Sequence, residues 1–186
     1  KKIKTAVFIS GNGSNLKALI KFSKIKKSPI SVNLIISNNA KSKGLRYGSI
    51  YKIKKKLFNF KNKSLAEKKI LRELKKNKIN LICLAGFMKI LSKEFIKNFK
   101  GKILNIHPSL LPKFKGLNTH QRVIENKEIH SGCTVHFVNS KLDSGKIILQ
   151  KKVKLCKNET PKSLAKKILV QEHKLYPKAI IKIFRL

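Results

Sequence analysis

The chain begins with an apolar, β-branched run at residues 3–9 that stops abruptly at a glycine-rich turn. Leu16, Leu19 and Ile20 then recur at helical spacing, so this segment predicts a strand, a turn and a helix in succession. When such units repeat, each strand lies parallel to the last and the helices cover the sheet. The beginning of the chain therefore favours an α/β fold.

The same alternation continues through the first half of the sequence. We predict further strands at residues 32–37, 57–60, 80–85 and 102–106. The run at residues 80–85 is nearly all apolar, as in parallel strands that are covered on both faces. Helices are predicted between these strands, including one from residue 92 to residue 99 and one in which Ser64 caps the first turn with Glu67 in a capping box.

The second half has a different order of elements. A helix is predicted at residues 119–125, followed by strands at residues 133–139 and 147–154 with no helix between them. Two strands in direct succession predict an antiparallel addition to the sheet. Apolar residues over 164–184 predict one long helix, or two helices broken near Pro177.

We therefore expect a Rossmann-like α/β fold with a mostly parallel, twisted sheet and helices on both faces. Its length of 186 residues predicts one domain, residues 1–186. The three cysteines are widely spaced, so neither a disulfide framework nor a zinc site is expected. No run approaches a membrane span and no signal peptide is recognised, so we expect a cytoplasmic protein.

The formal net charge of +37 is the most unusual property of the composition. Clustered lysine and arginine usually indicate nucleic-acid binding, because they displace counterions from phosphates. This excess is almost all lysine and is spread along the chain, so a nucleic-acid partner is not favoured. A surface for polyanions, or a field that attracts anionic substrates, stays open as the alternative.

The turn at residues 11–15 is the first candidate site. It reads Gly-Asn-Gly-Ser-Asn and precedes a helix, whose free N–H groups and dipole attract anions. The pattern lacks the third glycine region and the acidic residue of a dinucleotide fingerprint, so NAD is disfavoured. Phosphate binding is the functional interpretation, and an ordinary glycine turn is the alternative.

Asn105 and His107 form the second candidate site, at the carboxyl end of a predicted parallel strand. Side chains alternate along a strand, so these two lie on one side and can converge on one atom. Ligands of open α/β sheets bind at this edge. A single histidine is nevertheless more often structural.

Asp143 lies in the third candidate segment, Leu-Asp-Ser-Gly at residues 142–145. An aspartate beside glycine is ordinarily a turn former through its own backbone hydrogen bonds. If the fold brings Asp143 to His107, the carboxylate would orient the imidazole and raise its pKa.

Six segments taken together resemble glycinamide ribonucleotide formyltransferases. They are residues 11–15, Leu-Ala-Gly-Phe-Met-Lys-Ile-Leu at 84–91, Asn-Ile-His-Pro-Ser-Leu-Leu-Pro at 105–112, Gly-Leu-Asn-Thr-His at 116–120, residues 142–145 and Gln-Glu-His at 171–173. They occur in the family's order and span the chain. The resemblance implies the single-domain formyltransferase fold and 10-formyltetrahydrofolate as co-substrate, with no metal.

The resemblance also implies a role for particular residues. Asn105, His107 and Asp143 correspond to the catalytic trio of the family. The substrate glycinamide ribonucleotide would be held by Gly11, Asn12, Gly13, Ser14, Asn15 and Glu172. The folate would be held by Lys63, Met88, Lys89, Ile90, Leu91, Phe95, Ile103, Val138, Asn139 and Asp143.

Two positions depart from the family. Lys63 stands where arginine commonly meets the folate tail, so bidentate carboxylate binding would be lost while attraction is kept. Asn118 stands where the family frequently has a histidine.

We expect the protein to be a monomer or a weak homodimer.

Three other functions are less consistent with the sequence. Methionyl-tRNA formyltransferase shares the Asn, His and Asp pattern but carries a further C-terminal domain, and formyltetrahydrofolate hydrolase carries an extra N-terminal one; neither is expected in this chain. A polyanion-binding protein on this scaffold is supported by charge alone, since no aromatic residues interleave with a basic stripe.

Overall fold

The computed structural model describes residues 1–184 and divides into two compact units, Lys1–Leu104 and a second unit that begins at Asn105. The first unit holds β1 (Ile3–Ile9), α1 (Ser14–Lys24), β2 (Ile30–Ser37), α2 (Arg46–Ile50), β3 (Lys54–Leu57), α3 (Lys63–Lys76), β4 (Leu81–Leu84) and α4 (Lys93–Asn98). Strand β5 (Lys102–His107) runs from the first unit into the second. The second unit then holds α5 (Thr119–Glu125), β6 (His130–Phe137), β7 (Ile147–Lys154) and α6 (Pro161–Phe184).

The strands of the first unit are parallel. Strand β1 pairs with β2 on one side and with β4 on the other, and β2 pairs with β3. All four residues of β4 and the last five of β1 are buried, which explains their continuous apolar runs. The chain order reverses between β1 and β4, and ligands of open α/β sheets bind beyond the carboxyl ends of strands at such a point.

The second unit contains the antiparallel addition that the sequence predicted. Strands β6 and β7 pair antiparallel from His130 opposite Lys154 to His136 opposite Ile147, with one irregularity between Val135 and His136. The overall strand order is β3-β2-β1-β4-β5-β6-β7. The terminal helix α6 is continuous through Pro177, so the first of the two predicted alternatives is correct.

The predicted capping box of α3 is wrong. The Asn62 side chain caps the helix instead by accepting a hydrogen bond from the Leu65 N–H at 3.0 Å. Glu67 is turned toward α4, where its carboxylate accepts from the Ser92 N–H at 2.8 Å and from the Ser92 hydroxyl. An anionic side chain is stabilised there by the positive end of the helix.

The third strand was also predicted too far along the chain. It occupies Lys54–Leu57 instead of residues 57–60, and its four residues are exposed. An edge strand needs no apolar run, and lysines on it oppose pairing with another chain. Phe60, which suggested a strand, packs its ring edge-on against Phe87 at 5.7 Å. Helix α2 was not predicted because its sequence has only one turn of helical pattern.

Within residues 1–184, no helix combines the length and the apolar character that a membrane crossing requires.

Candidate active site

The turn between β1 and α1 adopts a conformation that glycine favours. Gly13 has φ 72°, and a Cβ atom at this position would lie 2.7 Å from the Gly44 Cα. Helix α1 begins at Ser14 without a side-chain cap. Gly13 at the N-cap has no side chain that could cap the helix, and the start of a helix attracts anions.

The segment after β2 holds this turn in place. The Gly11 carbonyl accepts one hydrogen bond from the Ser42 hydroxyl at 2.7 Å and another from the Gly44 N–H at 3.0 Å. Because the C=O and N–H of a trans peptide point in opposite directions, the Asn12 N–H is directed away from this contact. The sequence offered no sign of this support, since it comes from a loop some thirty residues away.

Two cations beside the turn were also missed by the sequence analysis. The Tyr47 ring carbons lie 3.5 Å from the position a Gly13 Cβ would take. The Lys17 ammonium lies 5.9 Å from the centre of that ring, and the Arg46 guanidinium carbon lies 5.2 Å from it. Cations near aromatic faces are held by the ring quadrupole, so positive charge accumulates beside Gly13.

The second unit brings Asn105, His107 and Asp143 together, as predicted. The Asn105 amide nitrogen donates to Asp143 Oδ1 at 3.4 Å, and His107 Nδ1 lies 3.4 Å from Asp143 Oδ2. The two strand residues therefore point to the same side of β5, as their alternation implied. The side chains of His107 and Asp143 are both more than nine-tenths buried, which strengthens their interaction.

His136 is a fourth member of this cluster that the sequence analysis did not identify. Its Nε2 lies 3.3 Å from the Asn105 amide nitrogen and 3.7 Å from Asp143 Oδ1. The available signal was a histidine in a predicted strand that lies six residues before the candidate segment at 142–145. Strand β6 brings it to the site.

Asp143 lies in a tight turn and is held as an anion. Its φ is 43°, in the left-handed region, and a Cβ at Gly145 would lie 1.7 Å from the Phe137 carbonyl oxygen. Burial raises the pKa of Asp143, but contacts with His136, the Gly116 N–H at 2.9 Å and the charge of His107 together hold that pKa below its ordinary value. Asp143 thus lies in a turn, as predicted, while its carboxylate is directed to Asn105, His107 and Gly116 and not to the turn's own backbone.

Burial has the larger effect on the pKa of His107, although Asp143 acts on it in the expected direction. Burial lowers the pKa of His107 below its ordinary value, although the Phe114 carbonyl and the Asp143 carboxylate each act to raise it. His107 Nε2 lies 2.9 Å from the Phe114 carbonyl oxygen, which can only accept, so Nε2 carries a proton. Desolvation outweighs the charge of a single carboxylate at this buried position.

The remaining predicted residues lie in several environments. Leu91, Phe95 and Ile103 are buried in the first unit, whereas the Met88 and Ile90 side chains there are about three-fifths exposed. Lys63 is the exposed first residue of α3, and Glu172 is a buried residue of α6. Among residues 1–184, no three histidine, cysteine or acidic side chains are grouped so that they could hold a metal ion.

Residues 3–180 match the sequence profile of the family described as formyl transferase. The chain belongs to this family, whose members use a formyl folate as co-substrate. It is 42% identical to the phosphoribosylglycinamide formyltransferase of Haemophilus influenzae over 95% of this chain and 85% of that protein. A crystal structure of phosphoribosylglycinamide formyltransferase from Brucella melitensis shares 40% identity and superposes with a TM-score of 0.93, covering 99% of this chain and 96% of that one.

Longer relatives match as well. The human trifunctional purine biosynthetic protein adenosine-3 is 42% identical over 97% of this chain, which spans only 18% of that protein. The similarity to these relatives and to the solved structures confirms the α/β fold class.

Proposed function

We propose that the protein is a phosphoribosylglycinamide formyltransferase, with residues 1–186 acting as one formyltransferase domain. It would transfer the formyl group of 10-formyltetrahydrofolate to the primary amine of glycinamide ribonucleotide, giving formylglycinamide ribonucleotide and tetrahydrofolate. The observation that carries this proposal is the buried cluster of Asn105, His107 and Asp143 in a chain of this family. We expect the enzyme to act in the cytoplasm, as a monomer or a weak homodimer.

The reaction needs neither a redox step nor a covalent intermediate on the enzyme. The substrate amine forms a bond to the formyl carbon, the bond from that carbon to the folate nitrogen breaks, and the proton lost by the amine passes to the folate nitrogen. Negative charge develops on the formyl oxygen during the attack. Donors placed beside that oxygen lower the barrier because their dipoles need no reorganisation.

Asn105 and His107 are the donors we assign to the formyl oxygen. In the free protein His107 Nε2 donates to the Phe114 carbonyl, so the substrate oxygen would replace that carbonyl as the acceptor. Asp143 faces His107 Nδ1, where it stabilises a positively charged imidazole as negative charge grows on the substrate. The same carboxylate would order a water molecule that carries the proton between the two nitrogens.

We assign the substrate phosphate to residues 11–15 and the glycinamide end to Glu172. The folate would contact Lys63, residues 88–91, Phe95, Ile103, Val138, Asn139 and Asp143. These assignments follow the resemblance of the corresponding segments to the family. The glycine turn at the start of α1 and the cations on Tyr47 support the assignment of the phosphate.

The direct test incubates the protein with glycinamide ribonucleotide and 10-formyltetrahydrofolate and follows both products by mass spectrometry. We expect stoichiometric formylglycinamide ribonucleotide and tetrahydrofolate. Formate release without the amine substrate would indicate a hydrolase, and formylation of methionyl-tRNA alone would indicate the tRNA enzyme. Either result would overturn the proposal. A titration with RNA at several salt concentrations tests the polyanion alternative separately.

Replacing Arg46 tests the assignment of the phosphate. Arg46→Ala removes one of the two cations on Tyr47, and we expect the KM for glycinamide ribonucleotide to rise about threefold, since an exposed charge contributes up to about 1 kcal/mol. The kcat and the KM for the folate should stay near the parental values. Arg72→Ala, at an exposed position of α3, is the matched control. A lower kcat with an unchanged KM would show that Arg46 does not serve the phosphate.

The protonation of His107 can be followed directly by NMR of its imidazole nitrogens. We expect the parent protein to titrate below the ordinary histidine pKa, with the proton of the neutral ring on Nε2. Asp143→Asn removes a charge that raises this pKa, so His107 should titrate at still lower pH in the variant. In kinetics, activity that depends on the charged imidazole would then be lost at lower pH. An unchanged His107 titration would refute electrostatic pairing between these two residues.

A further inference from the structure

Arg122, on helix α5, contacts the loop that surrounds the catalytic cluster. Its Nη1 donates to the Lys115 carbonyl at 2.7 Å and lies 3.4 Å from the Leu117 carbonyl. Its guanidinium carbon lies 5.5 Å from the centre of the Phe114 ring. One half-buried side chain thus holds three loop residues through two carbonyls and one aromatic face.

The first of these hydrogen bonds connects Arg122 to Asp143 through a single peptide group. The Lys115 carbonyl accepts from Arg122, and the Gly116 N–H of the same peptide donates to Asp143 Oδ2 at 2.9 Å. In a trans peptide the C=O and N–H point in opposite directions, so Arg122 and Asp143 hold opposite ends of one rigid plane. A hydrogen bond at one end also polarises the group toward the other.

The loop needs such a restraint because its backbone is irregular. Phe114 has φ 55° and Gly116 has φ 78°, so residues 114–117 form neither a helix nor a strand. The same loop presents the Phe114 carbonyl to His107 Nε2. Glycine adopts such a conformation readily, but that of Phe114 is unfavourable and persists only when neighbouring groups hold it.

We infer that Arg122 is a positioning residue, which sets the Gly116 N–H against Asp143 and the Phe114 carbonyl against His107. This inference rests on the proposed function of the cluster. The planar guanidinium is required because it stacks on a ring while donating to two carbonyls, whereas a lysine ammonium presents a point charge. Arg122 does not touch the reacting atoms itself.

The test compares Arg122→Ala and Arg122→Lys with Arg72→Ala, an exposed control on α3. The first readout is the titration of the Asp143 carboxyl carbon by NMR, which does not depend on activity. His107 and His136 are the titratable groups that face Asp143. The charge of Arg122 acts to lower the pKa of His107, and the charge of His107 acts to lower the pKa of His120. The His107, His120 and His136 titrations are therefore recorded alongside.

We expect the pKa of Asp143 to rise in both Arg122 variants, because a loosened Gly116 N–H stabilises the carboxylate less. The Gly116 amide resonance should shift in both. The kcat should fall about tenfold in Arg122→Ala with both KM values nearly unchanged, and Arg122→Lys should recover only part of the loss. Arg72→Ala should match the parent in every measurement.

Two results would overturn the inference. One is an unchanged Asp143 titration and Gly116 resonance in a folded Arg122→Ala protein. The other is complete recovery in Arg122→Lys, which would mean that charge alone is needed. If the parent protein fails to transfer formyl groups, the titrations still decide whether Arg122 positions Asp143, so the two failures are distinguishable.

Discussion

His107→Ala and Asp143→Asn should each lower the kcat of formyl transfer by about 10²–10³-fold, since one donor to a developing oxyanion typically contributes about 3–4 kcal/mol. Both side chains are more than nine-tenths buried and lie 3.4 Å apart, so each acts in a site with little water. His107→Ala removes a donor outright. Asp143→Asn keeps the shape but removes the charge that stabilises a protonated His107.

Rates are measured in single turnovers, so that chemistry is separated from product release. His130→Ala, on the same sheet, and Glu94→Gln, on the exposed surface of α4, serve as controls for losing a histidine and an acid. Circular dichroism and thermal unfolding establish that the variants are folded. Activity within a few-fold of the parent in a folded His107 or Asp143 variant would remove that residue from the mechanism.

Gly13→Ala should have the second largest effect, on folding rather than on catalysis. The new Cβ would lie 2.7 Å from the Gly44 Cα, and φ at this position is 72°. The left-handed conformation costs about 1–2 kcal/mol for an alanine, and overpacking adds about 1–3 kcal/mol. We expect the free energy of unfolding in urea to fall by the sum of these costs, about 2–5 kcal/mol.

Gly11→Ala is the matched control for this prediction. No atom lies within 4 Å of the position that its Cβ would take, so the variant should unfold at nearly the parental urea concentration. The added methyl stands at the proposed phosphate turn, so the KM for glycinamide ribonucleotide should rise more than that for the folate. Equal stability of the two glycine variants would show that the contact between Gly13 and Gly44 is not tight in solution.

The order of elements could be read from the sequence because it depends on local periodicity. The strand at residues 3–9, the helix at residues 119–125 and the strand at residues 147–154 have the predicted bounds. The antiparallel pair followed from two strands in succession. The fold class could therefore be inferred without coordinates, and the family was inferred separately, from the resemblance of six sequence segments.

Local patterns were less informative where a contact across the fold competes with them. Ser64 and Glu67 satisfy the pattern of a capping box, but Glu67 bonds to Ser92 instead. The edge strand at Lys54–Leu57 has only one apolar residue, because all four of its residues are exposed, and its pairing with β2 makes it a strand. In both cases the deciding neighbour is distant in sequence.

The sequence by itself determined that Asn105 and His107 share one side of a strand, and its resemblance to the family grouped Asp143 with them. Only the tertiary structure decided what surrounds these three side chains. It places His136 beside Asn105 at 3.3 Å and lowers the pKa of His107 by burying it. The physical reason is that strand alternation is a local property of the backbone, whereas desolvation and hydrogen bonding depend on atoms that only folding brings near.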